Sequence, residues 1–238
     1  MMIQIKSSQI QKADKKQAAY YENFLYPFQD QIFALIQTDA FYLGGGTCLS
    51  RFYYNHRYSD DLDFFFNGYD FPKENFHIIT QEIVNRISDH YKIDIQINSE
   101  FFKRMIVYKD NKPLKLEFIF ENYKCPGNRS EQNHIWIDSK ENIATNKITA
   151  IYDRHTVKDY VDLYYLLPEF QFKQLEQWAS EKVVPMEYEG VLITFAIQVL
   201  EGSVIMIDDI AIHDINAFIK NMTTQVYQYA RQHSKTIA

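Results

Sequence analysis

The stretch Gly44–Thr47 and the acids Asp61 and Asp63 are the residues whose types and spacing are best suited to chemistry. The chain contains only 7 glycines in 238 residues, and three of them are consecutive here. Glycine permits turns and close backbone approaches that other residues do not. A glycine turn followed, after 13 intervening residues, by an acid-x-acid pair predicts an anion site beside a cation site.

Asp61 and Asp63 are predicted to project from the same face of a strand. Side chains alternate along a strand, so Leu62 and Phe64 would point to the opposite face and into a core. Two neighbouring carboxylates repel each other, whereas a hard cation such as Mg²⁺ is stabilised by clustered carboxylate oxygens. The pair therefore indicates a metal site.

A third acid is expected if two metal ions are to bind together and assist a phosphoryl transfer. Glu117 is the candidate, because it alternates with Leu116 and Phe118 and so faces away from the apolar side of its strand. Asp94 is the alternative, on a strand that we expect to be more peripheral.

The glycine turn is predicted to bind phosphates. A strand that ends at Gly45, Gly46 and Thr47 and opens a helix presents unblocked N–H groups to an anion, and a triphosphate fits such a site. Thr47 could add its hydroxyl, and Arg57 or Ser59 could reach phosphate oxygens from the loop that precedes the acids.

These residues must be positioned by an α+β arrangement, a mixed sheet with flanking helices. We predict helix over 9–37 with a break near Pro27, because proline removes a backbone donor. Apolar spacing and turn residues then predict strands at 40–44, 62–66, 92–98, 102–110 and 112–120, an added edge strand at 133–138, and helices at 47–55 and 71–91.

The second half is predicted to be an all-α C-terminal lobe. It begins near Asp138, which with Glu141 has the form of an N-terminal capping pair. The predicted domains are therefore 1–138 and 139–238. Helices are expected at about 140–154, 156–167, 172–183, 187–201 and 213–233.

Composition limits the possible partners and location. The formal net charge of −6 provides no global positive field for binding long nucleic acids. A basic strip for RNA would have to come from five residues of one hairpin: Lys103, Arg104, Lys109, Lys112 and Lys115. The alternative is that these residues form a solvated hairpin face. Two cysteines form no disulfide framework, and Cys48 is read as a small buried residue. We expect a cytoplasmic protein without membrane contact, the apolar run 190–200 being a buried helix.

The glycine turn and the acid pair resemble the Gly-Gly-Ser/Thr and acid-x-acid signature of the nucleotidyltransferase superfamily typified by DNA polymerase beta. More closely, the stretch from Gly45 to Phe66 is similar to the AbiEii/AbiGii toxin family, in which His-Arg-x-Ser-x-Asp-hydrophobic-Asp is typical. A second family pattern is matched by Lys147, Ala150, Arg154, Lys158, Asp159 and Asp162. The resemblance spans roughly residues 42–167.

The resemblance implies a minimal nucleotidyltransferase domain and transfer of NMP from an NTP. It implies a two-ion Mg²⁺ site at Asp61, Asp63 and Glu117, and an antitoxin protein and the 3′ end of tRNA as partners. A catalytically inactive nucleotide- or partner-binding module and an enzyme acting on a small hydroxylated molecule are the alternatives. Glu117 stands where Asp is more expected, and Lys158 stands where Arg is common.

The second pattern also has a reading from the residues alone. Lys147 and Arg154 are seven apart and share a helix face, while Lys158 and Asp162 are an i, i+4 pair. Lys147, as a family-matched lysine, would face the glycine turn and neutralise triphosphate charge, with Arg154 and Lys158 as further nucleotide contacts and Asp162 as a catalytic acid. Salt-bridged helix packing is the other interpretation of Asp159 and Asp162. His56 is expected to position its loop.

Overall fold

The computed structural model describes residues 4–182 and 200–234. The chain forms two compact units, one of residues Ala13–Ile143 and the other of Met1–Lys12 with Ala144–Ala238. The first is called the sheet unit below and the second the helical unit. The division falls a few residues after the predicted domain boundary at 138, within a helix that begins at Lys140.

The described residues form both β-strands and α-helices. The strands are β1 Ile10–Lys12, β2 Phe41–Leu43, β3 Leu62–Asn67, β4 Lys92–Asn98, β5 Phe102–Lys109, β6 Lys112–Glu121, β7 Ser130–Gln132, β8 Ile135–Ile137 and β9 Val204–Met206. The helices are α1 Lys15–Tyr20, α2 Tyr26–Phe33, α3 Gly45–Cys48, α4 Glu74–Ser88, α5 Lys140–Asp153, α6 Val157–Leu166, α7 Phe172–Glu181 and α8 Ile212–Ser234. Two π-helical segments, Tyr21–Leu25 and Leu49–Tyr54, adjoin α1 and α3.

The sheet unit contains a seven-stranded sheet in the order β4-β5-β6-β3-β2-β8-β7. β3 pairs in parallel with β6 and β2 in parallel with β8, whereas the other neighbours are antiparallel. The predicted mixed sheet is thereby confirmed. β8 lies between two strands, so the prediction of an edge strand at 133–138 is wrong, because the short β7 continues the sheet beyond it.

The alternation of β3 gives the sheet its buried face. Leu62, Phe64 and Phe66 are fully buried, and Phe64 stacks on Phe118 of β6 with ring centroids 5.6 Å apart. Because side chains alternate, Asp63 projects from the opposite face. Large aromatic side chains on neighbouring strands therefore fix the face from which the acids emerge.

The N-terminal segment departs from the predicted helix over 9–37. Residues Ile10–Lys12 form a strand that pairs in parallel with β9. Ile10 pairs with Val204, 194 residues later in the chain, and no local sequence pattern indicates such a pairing. The helix does not break at Pro27. A π turn precedes it, in which the Tyr26 N–H bonds to the Tyr21 carbonyl, and this wider turn accommodates the proline ring within a continuous helical segment.

The helical unit is not purely helical. β1 and β9 form a two-stranded sheet, and Thr156 forms a single parallel bridge with Glu201, so the prediction of an all-α second half needs this correction. The predicted helix over 187–201 lies outside the described residues except for its last two positions, as does most of the apolar run 190–200. Among the residues that the structure describes, no helix is long and apolar enough to cross a bilayer.

α5 begins at Lys140, as predicted, but its capping residue is not the predicted Asp138. The Ser139 hydroxyl accepts the Asn142 N–H at 3.0 Å, so Ser139 is the capping residue. Asp138 is fully buried and instead accepts both the Ser139 N–H and the Asn142 side-chain amide, each at 2.9 Å.

Candidate active site

The glycine bend lies directly against Asp63. The Gly44 N–H donates to the Asp63 carbonyl at 2.9 Å, and Gly45 has a φ of +65°. A Cβ atom placed on Gly45 would lie 2.6 Å from Asp63 Oδ2, and one placed on Gly46 would lie 2.2 Å from Arg57 Nη2. A side chain at either position would have to displace the Asp63 carboxylate or the Arg57 guanidinium, and Gly45 also adopts a positive φ that favours glycine.

Thr47 joins the bend to the loop that precedes the acids. Its hydroxyl donates to the Asp61 carbonyl and lies 2.9 Å from the Ser59 hydroxyl. Arg57 is buried, its Nη1 donates to the Tyr58 carbonyl at 3.0 Å, and its own carbonyl accepts the Ser50 hydroxyl. The bend, the buried guanidinium and the hydroxyls of Thr47 and Ser59 are therefore held together by contacts within the protein.

The acids lie side by side on two parallel strands. Asp63 of β3 is the register partner of Glu117 of β6, and Asp61 immediately precedes β3. The side chains of Asp61 and Glu117 are 34% and 14% exposed, so solvent reaches both. Asp94 lies on the edge strand β4, with β5 and β6 between it and β3.

Two basic residues accompany these acids. Lys115 Nζ lies 2.9 Å from Asp61 Oδ2 and 3.3 Å from Glu117 Oε1. Arg104, the register partner of Glu117 on β5, places its Nε 2.7 Å from Glu117 Oε1. Two positive side chains thus neutralise two of the three predicted metal ligands.

The local charges set the protonation of Glu117 and Lys115. Burial would raise the pKa of Glu117, but Lys115 and Arg104 outweigh it and hold that pKa below its usual value. Burial would lower the pKa of Lys115, but its hydrogen bond to Asp61 and the neighbouring acids raise it. Both groups are charged at neutral pH.

The donor set of Asp61, Asp63 and Glu117 suits a hard divalent cation, because carboxylate oxygens on neighbouring strands are the ligands that Mg²⁺ prefers. Within residues 4–182 and 200–234, however, no three acidic, histidine or cysteine side chains converge closely enough to form a ready-made metal centre. The Lys115 ammonium bonds to one oxygen of Asp61 and one of Glu117.

Arg104 and Lys115 were missed as site residues by sequence reasoning, which placed them only in a basic strip. A signal was present. The two-residue turn Asp110–Asn111, with both φ values positive, joins β5 to β6 and fixes the hairpin register that sets Arg104 opposite Glu117.

The proposed basic strip is largely occupied by contacts within the protein. Lys103 is buried, Lys109 Nζ bonds to Gln31 at 2.7 Å, and Lys112 lies 4.0 Å from the Phe24 ring centroid. With Arg104 and Lys115 bonded to acids, these five residues do not form a free cationic surface. Neither expectation for this hairpin, an RNA footprint or a simply solvated face, describes it well.

Two other residues near the bend are fully buried. The His56 ring lies edge-on to Tyr54 at 6.0 Å, and its role in positioning the loop stays a prediction. Cys48 is fully buried, which confirms the reading as a small core residue, and burial raises the pKa of its thiol.

A buried ionic cluster lies in the helical unit. Lys147 Nζ is 2.7 Å from both Asp159 Oδ1 and Asp162 Oδ2. Arg154 donates to the two Asp159 oxygens at 2.9 and 3.1 Å, and Thr156 donates to the same carboxylate. Both aspartates are fully buried.

The cluster carries balanced charge. Burial would raise the pKa of Asp159, but Lys147 and Arg154 outweigh it and lower that pKa. Lys147 of α5 and Arg154, which directly follows α5, reach the same carboxylate of Asp159, and Asp162 bonds to Lys147. Lys158 is half-exposed on α6. The family-pattern residues are thus mostly gathered around one ammonium group.

The fold is that of nucleotidyltransferase toxins. The structure is similar to MenT4, a nucleotidyltransferase toxin from Mycobacterium tuberculosis, at 15% identity with 88% of this chain and 85% of that chain covered and a TM-score of 0.59. It is also similar to JHP933 from Helicobacter pylori, at 18% identity, 93% and 97% coverage and a TM-score of 0.55.

The family follows from the sequence. The model of the nucleotidyl transferase AbiEii toxin of type IV toxin-antitoxin systems matches residues 30–226, so this chain belongs to that family, and the family predicted from the motifs is confirmed. The chain is also 30% identical over 163 residues to the uncharacterized protein aq_aa25 of Aquifex aeolicus. This alignment covers 64% of this chain and 71% of that protein.

Proposed function

We propose that this protein transfers the nucleoside monophosphate of an NTP to an acceptor hydroxyl at the site formed by the glycine bend and the adjacent acids. The acceptor oxygen attacks the α-phosphorus in line, the bond to the β-phosphate oxygen breaks, and pyrophosphate leaves. The observation that carries the proposal is the packing of Gly45 against Asp63, which sets a phosphate-binding backbone beside a carboxylate.

The bend is assigned to the β and γ phosphates. Backbone N–H groups at Gly45, Gly46 and Thr47 bind phosphate oxygens, and the buried Arg57 adds a fixed positive charge beside Gly46. Ser59, tied to Thr47, supplies a further hydroxyl. This part of the site is preorganised, so little conformational entropy is lost when the triphosphate binds.

Asp61, Asp63 and Glu117 would hold divalent cations, with Mg²⁺ as the expected ion. Bound there, such ions supply neutralisation of phosphate charge and activation of the attacking oxygen. Asp63 or Glu117 orients the acceptor hydroxyl and accepts its hydrogen bond. Because they are direct register partners on neighbouring strands, both can face one acceptor group.

The family resemblance suggests Lys147, Arg154 and Lys158 as phosphate contacts, and all three belong to the helical unit. There Asp159 and Asp162 hold the Lys147 ammonium at 2.7 Å and fix its direction. Asp162 is therefore proposed to position Lys147 and not to act as a separate catalytic acid, because its carboxylate is fully buried against that ammonium.

The acceptor is proposed to be the 3′ end of a tRNA, and the regulatory partner an antitoxin protein. Membership of a toxin family of type IV toxin-antitoxin systems supports the antitoxin, and the resemblance to that family suggests the tRNA. A cytoplasmic location follows from both partners.

The test is a transfer assay with each of the four labelled NTPs, Mg²⁺, and total RNA, total protein or small hydroxylated molecules as acceptors. Labelled RNA that depends on Asp61 and Asp63 supports the proposal. Asp94→Asn is the matched control, because it removes a carboxylate from the same sheet but from the edge strand β4. Label on a small molecule would show that the acceptor is that molecule and not RNA. NTP binding without pyrophosphate release would indicate an inactive binding module.

A further inference from the structure

The side chain of Lys115 occupies a position that the proposed mechanism does not explain. Its ammonium lies 2.9 Å from Asp61 Oδ2 and 3.3 Å from Glu117 Oε1, and the side chain is 32% exposed. It therefore bonds to oxygens of two of the three acids assigned to metal binding, while remaining accessible from solvent.

The backbone forces this arrangement. Lys115 and Glu117 are two residues apart on β6 and share a face, and Leu116 between them pairs with Leu62 of β3. Asp61 precedes Leu62, so its carboxylate lies on the face and at the level of Lys115. A lysine stem at this position reaches both acids without distortion of either strand.

Arg104 and Lys115 differ in their relation to the acids. Arg104 bonds to Glu117 alone at 2.7 Å from the neighbouring strand, whereas Lys115 spans Asp61 and Glu117. A lysine ammonium is a compact point charge on a flexible stem, so it can leave its partners readily, unlike a guanidinium fork. Lys115 is thus the cation that can be exchanged.

We infer that Lys115 is the built-in competitor of the divalent cation: its ammonium bonds to two of the carboxylates and must leave them when a metal ion binds. This inference rests on the proposed function. Lys115 therefore weakens metal binding in the absence of nucleotide, and a bound triphosphate favours metal entry because its oxygens offer the displaced ammonium new partners. Metal and nucleotide are then expected to bind cooperatively.

The experiment measures Mn²⁺ binding to the full-length protein without nucleotide, by electron paramagnetic resonance of the free ion. Lys115→Met, which keeps the apolar stem and removes the charge, is expected to tighten binding about tenfold or more, since a unit charge next to the ligands is removed. Lys115→Gln is the second variant, to be used if the methionine variant does not fold. Circular dichroism verifies folding.

Lys112→Met is the matched control, because it removes the same charge from the same strand at a residue that stacks on Phe24. Lys115→Arg keeps the charge but replaces the ammonium with a guanidinium fork that leaves its partners less readily, so this variant is expected to bind Mn²⁺ no more tightly than the wild type. Adding Asp61→Asn to Lys115→Met should abolish the gain in affinity, which locates the ion at these acids.

The outcomes separate the two proposals. The inference is overturned if the wild type binds Mn²⁺ and the charge-removing Lys115 variants bind it no more tightly. It is also overturned if Lys112→Met raises the Mn²⁺ affinity by the same factor. Either result leaves the metal site assignment intact. Absence of Mn²⁺ binding in every folded variant overturns the metal assignment and the inference together. Binding only after Lys115 is replaced supports the inference in its strongest form.

Discussion

Asp63 of β3 and Glu117 of β6 are direct register partners on neighbouring parallel strands. Their side chains emerge on the face opposite to Phe64 and Phe118, which stack in the core with ring centroids 5.6 Å apart. The packing of these two phenyl rings therefore locks the alignment of the two acids, because a slip of one residue would bury a carboxylate and expose a ring.

Gly45→Ala is expected to abolish nucleotide binding. The added Cβ would lie 2.6 Å from Asp63 Oδ2, and the φ of +65° adds backbone strain of about 1 to 2 kcal/mol. The measurement is binding of a fluorescent NTP analogue to the folded variant.

Gly202→Ala is the control for that substitution. Gly202 has a φ of +78° but no atom within 4 Å of an added Cβ, so it carries the backbone strain without the collision. Nucleotide binding should be kept in this variant. Equal losses at Gly45 and Gly202 would mean that backbone strain alone, and not the contact with Asp63, explains the effect.

Thr47→Val is expected to weaken substrate use while the fold is kept. The hydroxyl that donates to the Asp61 carbonyl and lies 2.9 Å from the Ser59 hydroxyl is lost, and valine offers no donor in its place. A loss of about 1 to 2 kcal/mol corresponds to roughly a tenfold fall in kcat/KM. Steady-state transfer kinetics measure it.

Thr80→Val provides the comparison for Thr47. Thr80 is a fully buried threonine of α4 whose hydroxyl donates to the Phe76 carbonyl within the same helix. Its replacement should leave kcat/KM unchanged. A similar fall in both variants would indicate a general loss of stability in place of a specific role for Thr47.

Lys147→Met is expected to destabilise the helical unit. It leaves two fully buried aspartates without the ammonium that bonds to both at 2.7 Å. Breaking a buried ion pair on one side costs about 3 to 5 kcal/mol. Urea denaturation followed by Trp178 fluorescence, in a Trp136→Phe background, reports this unit because the chain has 2 tryptophans and only Trp178 belongs to it.

Lys173→Met is the control for charge removal in the same unit, since Lys173 is exposed on α7. Its free energy of unfolding should change by less than about 0.5 kcal/mol. An unchanged stability in Lys147→Met would show that the buried cluster does not support the unit.

The stability of the helical unit should fall in acid through Asp159. Lys147 and Arg154 lower the pKa of this carboxyl in the folded state, although burial alone would raise it. Its contribution to stability is therefore complete above the ordinary aspartate pKa of 3.8 and is lost as pH falls through the lower folded value. Unfolding free energies measured between about pH 2 and 7 test this.

Asp159→Asn supplies the reference curve for that titration. The wild type should be the more stable protein at neutral pH, and its advantage should shrink as pH drops below the ordinary aspartate pKa. An advantage that stays constant, or grows, in acid would contradict the assigned charge state of Asp159.

The sequence by itself determined the face of the acids and the presence of the glycine bend. Both rest on local rules: the two-residue period of a strand that buries Leu62 and Phe64, and the backbone freedom of Gly45. Neighbouring residues suffice for such rules. The family motifs around these positions are equally local.

Only the tertiary structure decided which charges meet. Lys115 contacts Asp61 because β6 lies parallel to β3 in one register, and β1 pairs with β9 across 194 residues of sequence. Ser139 instead of Asp138 caps α5, although either side chain could do so. Each outcome depends on long-range pairing or on a choice between equivalent local partners, and the burial of apolar side chains elsewhere in the molecule makes that choice.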